Sequence, residues 1–329
     1  MNIRFLPFKA KFAVLAALVC GPMTPSWAQA PAYPSQSIKF IVPYAPGGLP
    51  DTVARIVGQR LQERIGQNVV VENRPGGNGS VAVGALNTSP ADGYTLMVTD
   101  GSMISVTPQL FKQLNYNPKD FVPVVLMAQA PLFLAVHPKV PSNTFKEFVD
   151  YVKARPGQVN YGSSGVGSTH HLSMEALKGA LQLNMAHVPY RGTGQSVPAL
   201  LGGHVEVLFS AYPSLSGAVE GNKVKLLATN GAKRSPQAPN LPAIAETIPG
   251  FDFAPTIGIF ARVGTPPALV KKIADETIAV VKLPETAKQL AVAGIEPVGV
   301  GSDEFSRSLT AEIDRVAKVI QSANIKVEQ

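Results

Sequence analysis

Four stretches of this sequence combine residue types suited to holding an anion. Ala45-Pro46-Gly47-Gly48 follows Tyr44 and leads to Asp51. Gly101-Ser102 follows the run ending at Thr99 and Asp100. Gly162-Ser163-Ser164-Gly165-Val166-Gly167-Ser168-Thr169 precedes His170. Arg191-Gly192-Thr193-Gly194-Gln195 follows Tyr190. In each, a β-rich run gives way to a Gly/Ser/Thr loop and then to a helix start. The first N–H groups of a helix have no intrahelical acceptor and lie at the positive end of its dipole. Glycine lets a ligand approach the backbone, and Ser or Thr adds a hydroxyl donor. Such loops bind a carboxylate or phosphate without a buried Arg or Lys.

Other chemistries fit poorly. Gly162-x-x-Gly165-x-Gly167 is not the dinucleotide fingerprint, and no Gly-Lys-Ser/Thr follows any loop. No G-x-S-x-G nucleophile elbow is present, nor any nucleophile–base–orienter set. His170 and His171 are adjacent and point about 100° apart on a helix, so they are poor co-ligands for one metal. They read as one helix-start donor and one structural or solvent-facing histidine. His137 and His204 read as surface residues, and His187 as packed in its strand. Asp51 reads as a helix cap or loop brace. Arg191 suits a surface or hinge position better than a carboxylate clamp. The composition calls for no cofactor and no metal.

The elements that must position these loops alternate in the manner of an α/β protein. Strands are expected at Ile38–Tyr44, Asn68–Glu72, Tyr94–Thr99, Val159–Tyr161, His187–Tyr190, Val205–Phe209, Val224–Thr229 and Thr256–Ala261. Helical spacing places Val53, Ile56, Val57, Leu61 and Ile65 on one face after Asp51. Further helices are expected at 81–86, 144–153, after His171, from Val197, and at 267–281, 285–293 and 303–322. The apolar stretch Pro123–His137 and the loop-rich stretch Ser235–Pro255 read as two crossings between lobes. That makes one lobe of residues 33–133 plus 255–329 and another of residues 134–254.

The chain has 329 residues, enough for about two domains. Its formal charge of +7 includes Arg4, Lys9 and Lys11 of the first 28 residues, which leaves +4 beyond them. That modest excess, without a basic run or an aromatic–basic motif, argues against nucleic acid. Arg4, Lys9 and Lys11 precede the apolar run Phe12–Cys20 and a small-x-small site at Ser26-Trp27-Ala28. This is the layout of a secretory signal cleaved after Ala28, with residues 1–28 removed. The one cysteine, Cys20, and the one tryptophan, Trp27, leave with it. The mature chain then has no disulfide or thiol chemistry, and a Gram-negative periplasm fits best.

Across the mature chain, in order, the sequence resembles the Bug-type receptors of tripartite tricarboxylate transporters. The matching segments are Tyr33-Pro34 with Ile38–Asp51, Val71–Gly79, Ala91–Tyr94, Asn160–His170, Val188–Gly194, Gly202–Val205 and Gly264-Thr265-Pro266. The resemblance implies a monomeric, periplasmic, two-lobed binding protein of type II-like fold, with each lobe a sheet flanked by helices and the ligand in the interlobe cleft. It implies no enzyme, but a receptor that closes on an organic carboxylate and hands it to membrane permease subunits. The family's site maps onto Tyr44, Ala45, Pro46, Gly47, Gly48 and Asp51, and onto Gly101 and Ser102. In the second lobe it maps onto Ser164, Gly165, Gly167, Ser168, Thr169, His170, Arg191, Gly192, Thr193 and Gly194. After the Val205–Phe209 strand the family commonly has Asp, where this chain has Ser210, then Ala211 and Tyr212. Loss of that carboxylate removes a partner for an amino group and lessens repulsion of a second ligand carboxylate. Tyr212, with Tyr44 and Phe209, could add an aromatic face. Both features favour a dicarboxylate or an aromatic acid, such as terephthalate, over an amino acid. The same closed form could instead engage a sensor-kinase ectodomain, and a periplasmic enzyme on a small acid is a remoter alternative.

Overall fold

In the computed structural model, the structure describes Met1, residues 33–111 and residues 113–326. The signal segment and its cleavage point lie outside the described residues. The chain divides into two units, residues 1–33 and residues 34–329, and both sheets described below belong to the second.

Four strands, β1 (Ile38–Val42), β2 (Val69–Asn73), β3 (Thr95–Asp100) and β4 (Phe121–Gln129), begin one sheet. The chain then builds a second sheet from β5 (Leu132–Val136), β6 (Val159–Ser163), β7 (Met185–Pro189), β8 (Val207–Ala211) and β9 (Lys225–Thr229). It returns to the first with β10 (Thr256–Arg262) and β11 (Glu296–Gly301). Among the described residues the sheet orders are β11-β4-β10-β3-β1-β2 and β7-β6-β8-β5-β9. In the first sheet β2, β1 and β3 are parallel, and in the second β7, β6 and β8 are parallel.

Each parallel trio therefore has its earliest strand in the middle, with later strands on both sides. The chain leaves that strand toward one neighbour and comes back on the other side. Ligands of open α/β sheets bind outside the carboxyl ends of the strands at such a reversal.

The helices are α1 (Leu49–Ile65), α2 (Ser80–Thr88), α3 (Ser102–Ser105), α4 (Thr107–Leu110), α5 (Phe145–Lys153) and α6 (Thr169–Leu181). They continue with α7 (Thr193–Leu201), α8 (Tyr212–Glu220), α9 (Pro267–Val281), α10 (Pro284–Val292) and α11 (Ser302–Ser322). The local signals behind them are conventional. In α1, Pro50 lies in the first turn, Val53, Ala54, Val57 and Leu61 are buried, and Gly66 ends the helix at φ 68°. In α5, Thr144 accepts a hydrogen bond from the Glu147 N–H, while Phe145, Phe148 and Val152 face the core.

Several expectations are corrected. The stretch Pro123–His137 does carry the chain from one sheet to the other, but it does so as two strands that were not expected, β4 and β5, with only Ala130 and Pro131 between them. Continuous apolar runs buried on both faces carry no alternation to mark them as strands. Strand β8 lies two residues later than expected, so Ser210 pairs with Phe133 inside the sheet and Tyr212 opens α8. Helix α8 and strand β11 were not anticipated. Asp51 is not the cap of α1: Gly48 holds that position, and Asp51 lies within the first turn.

The two sheets have separate cores. Ile41, Met97, Leu126, Phe260 and Phe305 belong to the first, and Leu134, Phe148, Tyr161, Val207 and Phe209 to the second. A small cluster of Val106, Leu172, Val316 and Val319 joins α6 of the second sheet's layer to α11 of the first's. The crossings run side by side. The Ala130 N–H donates to the Pro255 carbonyl at 2.9 Å, and the Phe253 N–H to the Asn230 carbonyl at 2.9 Å. The fully buried Asn230 side chain accepts from the Leu132 N–H at 2.7 Å and donates to the Phe253 carbonyl at 2.8 Å and to Ser173 Oγ at 3.0 Å.

Candidate functional site

The reversal in the first sheet lies between β1 and β3. Their parallel register pairs Ile41 with Met97, and continuing it brings Tyr44 beside Asp100. The Tyr44 hydroxyl donates to Asp100 Oδ1 at 3.0 Å. The same oxygen accepts from the Ser102 N–H at 3.1 Å and from the Ser102 hydroxyl at 2.5 Å. One half-buried carboxyl thus fixes a residue from each of two predicted ligand loops. Burial raises its pKa, which the donors from Ser102 and Tyr44 partly oppose. Burial also raises the Tyr44 pKa, so the phenol stays protonated and donates. Gly101 lies between them because Glu312 occupies its side-chain space: a Cβ there would stand 2.8 and 2.9 Å from the two Glu312 carboxyl oxygens.

Asp51, 2% exposed, braces the first loop. Its Oδ2 accepts from the Gly47 N–H at 2.8 Å and from Arg55 Nε at 3.0 Å, and its Oδ1 from Asn73 Nδ2 at 2.9 Å. These donors hold its pKa low against the cost of burial. The Gly47 N–H is thereby committed inside the protein. Pro46 has no N–H, and Ala45 is exposed at the loop tip.

The second sheet repeats the arrangement. Its parallel register pairs Tyr161 with Val207 and Gly162 with Leu208, and continuing it brings Ser164 beside Ser210. Both hydroxyl oxygens are buried and have no hydrogen-bond partner in the protein. Buried hydroxyls are rarely left so unless something else completes them. The neighbouring loop closes on Ser164 through its backbone: the Gly192 N–H donates to the Ser164 carbonyl at 3.3 Å, and the Tyr190 N–H to the Ser163 carbonyl at 3.1 Å. Gly192, at φ 93°, precedes Thr193 and Gly194 in the first turn of α7. Arg191 is exposed, and its N–H donates to Gln195 Oε1 at 3.1 Å.

Ser168 caps α6, accepting from the His171 N–H at 3.3 Å while its own hydroxyl donates to the Gly165 carbonyl at 2.7 Å. That hydroxyl has no proton left to give. Gly165 (φ 125°) and Gly167 (φ 77°) take backbone conformations that side chains resist. A Cβ on Gly167 would stand 2.4 Å from Leu110 Cδ1, so this loop abuts α4 across the two layers. Thr169 and Gly101 line a small cavity of about 30 Å³ between the layers, together with Asp252, Glu312 and Arg315.

His170 occupies the first turn of α6, and burial lowers its pKa to about 4, so it is a neutral donor or acceptor near pH 7. His171 is structural. Its Nδ1 accepts from the Gly167 N–H at 3.1 Å, its ring stacks on His187 at 4.1 Å, and His187 stacks on Tyr161 at 4.7 Å. His187 Nε2 lies 2.7 Å from Ser163 Oγ. The three rings form a platform under the loop. Among the described residues, no group of three His, Cys, Asp or Glu side chains is placed to hold a metal ion.

Tyr212 turns away from the role suggested for it. Its ring packs edge-on against Phe133 at 5.7 Å, within the apolar cluster on that face of the second sheet. Phe209 is 1% exposed and belongs to the core on the other face. Tyr44 is the aromatic residue of the three that lines open space. It borders a cavity of about 490 Å³ with Ala45, Pro75, Gly76, Gly79, Ser102, Met103 and Phe111. The loop Pro75–Gly79 repeats the Pro-Gly-Gly of the first loop, a signal available in the sequence. Met103 and Phe111 carry no such signal, because an apolar residue beside a strand end reads as core.

Two α/β layers joined by paired crossings, each with a strand reversal lined by hydroxyl-bearing loops, define a two-lobed solute-binding protein. A family model described as "Tripartite tricarboxylate transporter family receptor" matches residues 53–325, and the chain belongs to that family. The Bordetella pertussis protein BugT is 32% identical over 304 residues, covering 91% of this chain and 93% of its own. The structure of R. palustris Rpa4515 with adipate is 32% identical, covers 89% of this chain and 99% of that one, and superposes with a TM-score of 0.75. MatC (Rpa3494) from Rhodopseudomonas palustris with bound malate is 28% identical, covers 88% and 100%, and gives a TM-score of 0.69. The family consists of solute receptors, and this chain is a receptor and not an enzyme.

Proposed function

We propose that the protein is a periplasmic receptor that captures an organic carboxylate between its lobes by hinge closure and delivers it to the permease subunits of a tripartite tricarboxylate transporter. The lobes are residues 33–133 with 255–329, and residues 134–254. The observation that carries this reading is the pair of buried, unpartnered hydroxyls of Ser164 and Ser210 at the second sheet's reversal; the first sheet has a matching reversal, held by the Tyr44–Asp100–Ser102 group. Neutral donors of this kind hold an anion best once closure excludes water, because the local dielectric falls. The ligand bridges donors of both lobes and so favours the closed population. The adipate and malate seen with two relatives are of the expected class.

The site residues of this reading are Tyr44 to Gly48, Gly101 and Ser102 on one side, and Ser164, Gly165, Gly167 to His170, Gly192 to Gly194 and Ser210 on the other. Asp51 and Ser168 act through the loops they hold, and Arg191 stands at the rim. Ser210, where the family resemblance implies Asp, favours a dicarboxylate or an aromatic acid over an amino acid. Tyr44 supplies the aromatic wall, since Tyr212 is packed on Phe133.

A thermal-shift screen of the purified protein against adipate, malate, terephthalate and amino acids tests this. A ligand at 100 times its dissociation constant adds about 2.7 kcal/mol of stability. A selective shift with the acids supports the reading. Shifts with amino acids alone would discard the part resting on Ser210, and no shift with any acid would overturn the carboxylate cleft.

A further inference from the structure

The 490 Å³ cavity is far larger than a carboxylate requires and is typical of a site for a whole small ligand. It lies wholly within the first lobe, over the carboxyl ends of β2, β1 and β3, and is continuous with the candidate site through Tyr44, Ala45 and Ser102. Its described wall carries no charged side chain: beyond the loop backbones it consists of Pro75, Met103, Thr107, Phe111 and the Tyr44 ring. A hydrated charge gains nothing there, whereas apolar surface leaves water favourably.

Gly79 keeps that wall in place. It has φ 91°, and a Cβ on it would stand 2.3 Å from Met103 Cε and 2.9 Å from Met103 Sδ. The thioether therefore lies flat against the loop, where it can adapt to a ligand's shape. Half-buried Phe111 stands at the end of α4, whose Leu110 meets Gly167 of the other lobe.

We propose that this cavity takes the hydrocarbon body of the bound carboxylate, that Phe111 and Met103 set specificity there, and that the receptor selects acids with an apolar body of roughly six carbons or more over short hydroxy acids. The inference rests on the carboxylate reading above and adds the class of acid.

The test is calorimetric titration of the purified protein with α,ω-dicarboxylates of increasing length from succinate, with matched monocarboxylates and with malate, repeated on Phe111→Ala and Met103→Leu. The wild-type protein should bind about fourfold more tightly for each added methylene until the cavity is full. Phe111→Ala should weaken the long acids about tenfold and leave succinate nearly unchanged, which flattens the series. Met103→Leu, similar in volume, keeps the fold and should shift the preferred length. Affinity that is flat or falls with length in the wild-type protein, or an equal loss for all acids in Phe111→Ala, overturns the inference while the carboxylate reading stands. No binding of any acid overturns both.

Discussion

The Tyr44 hydroxyl donates to Asp100 Oδ1 at 3.0 Å, across the point where the first sheet reverses its strand order. This bond ties the loop after β1 to the loop after β3, so the two loops proposed to hold the ligand on this side are set as one piece. Tyr44→Phe removes one of the donors to a half-buried carboxyl that keeps those of Ser102. It should cost about 1 kcal/mol in chemical denaturation and weaken carboxylate binding by loosening both loops. An unchanged midpoint would show that the bond does not matter to the fold.

Ser210 separates ligand binding from stability. Its hydroxyl is buried and unpartnered in the protein, so Ser210→Ala removes nothing the fold uses. The denaturation midpoint should move by less than about 0.5 kcal/mol. Affinity for the preferred acid should drop about tenfold, as for a lost hydrogen bond to a charged group. Unaltered affinity would remove Ser210 from the site.

Asn230 joins the crossings. Asn230→Ala strands the Leu132 N–H and the Phe253 carbonyl in a buried place and frees Ser173. The expected loss is about 2–4 kcal/mol. Small-angle scattering of the folded variant should show a broader range of lobe separations. A loss below about 1 kcal/mol would mean that the crossings are held by packing alone.

His170 gives a pH signature. Its folded pKa of about 4 lies below the ordinary value of 6.5, so the unfolded chain takes up its proton first. His170 therefore lowers stability as pH falls from 6.5 toward 4. Half-buried Asp100 and Glu312, whose pKa values desolvation raises, act in the opposite sense. The measurement is thus a difference. Denaturation midpoints between pH 7.5 and 4.5 should fall less steeply with acid in His170→Gln than in wild type. Parallel profiles would place the His170 ring in solvent.

Much of the scaffold was legible because its signals are local. The run Ile38–Val42, the turn glycines Gly47 and Gly66 and the apolar stripe Val53, Val57 and Leu61 mark a strand, a loop and a helix within a few residues of one another. The stretch 123–137 was less legible. Two strands buried on both faces, with only Ala130 and Pro131 between them, show no alternation and no turn signal of ordinary length.

What the sequence determined by itself was the supply of donors: glycine-rich turns with Ser and Thr at helix starts, with Arg191 alone adding a cation to these four loops. Which donors remain for a ligand was decided only by the tertiary structure. Asp51 takes the Gly47 N–H, Ser168 spends its hydroxyl on Gly165, and Tyr212 packs against Phe133. Ser164 and Ser210 become neighbours because β6 and β8 lie side by side, and Phe111 faces a cavity because three loops surround it. Turn and helix formation depend on residues a few positions apart, whereas adjacency of strand ends depends on sheet order. Sheet order is set by the packing of whole layers, and no local pattern records it.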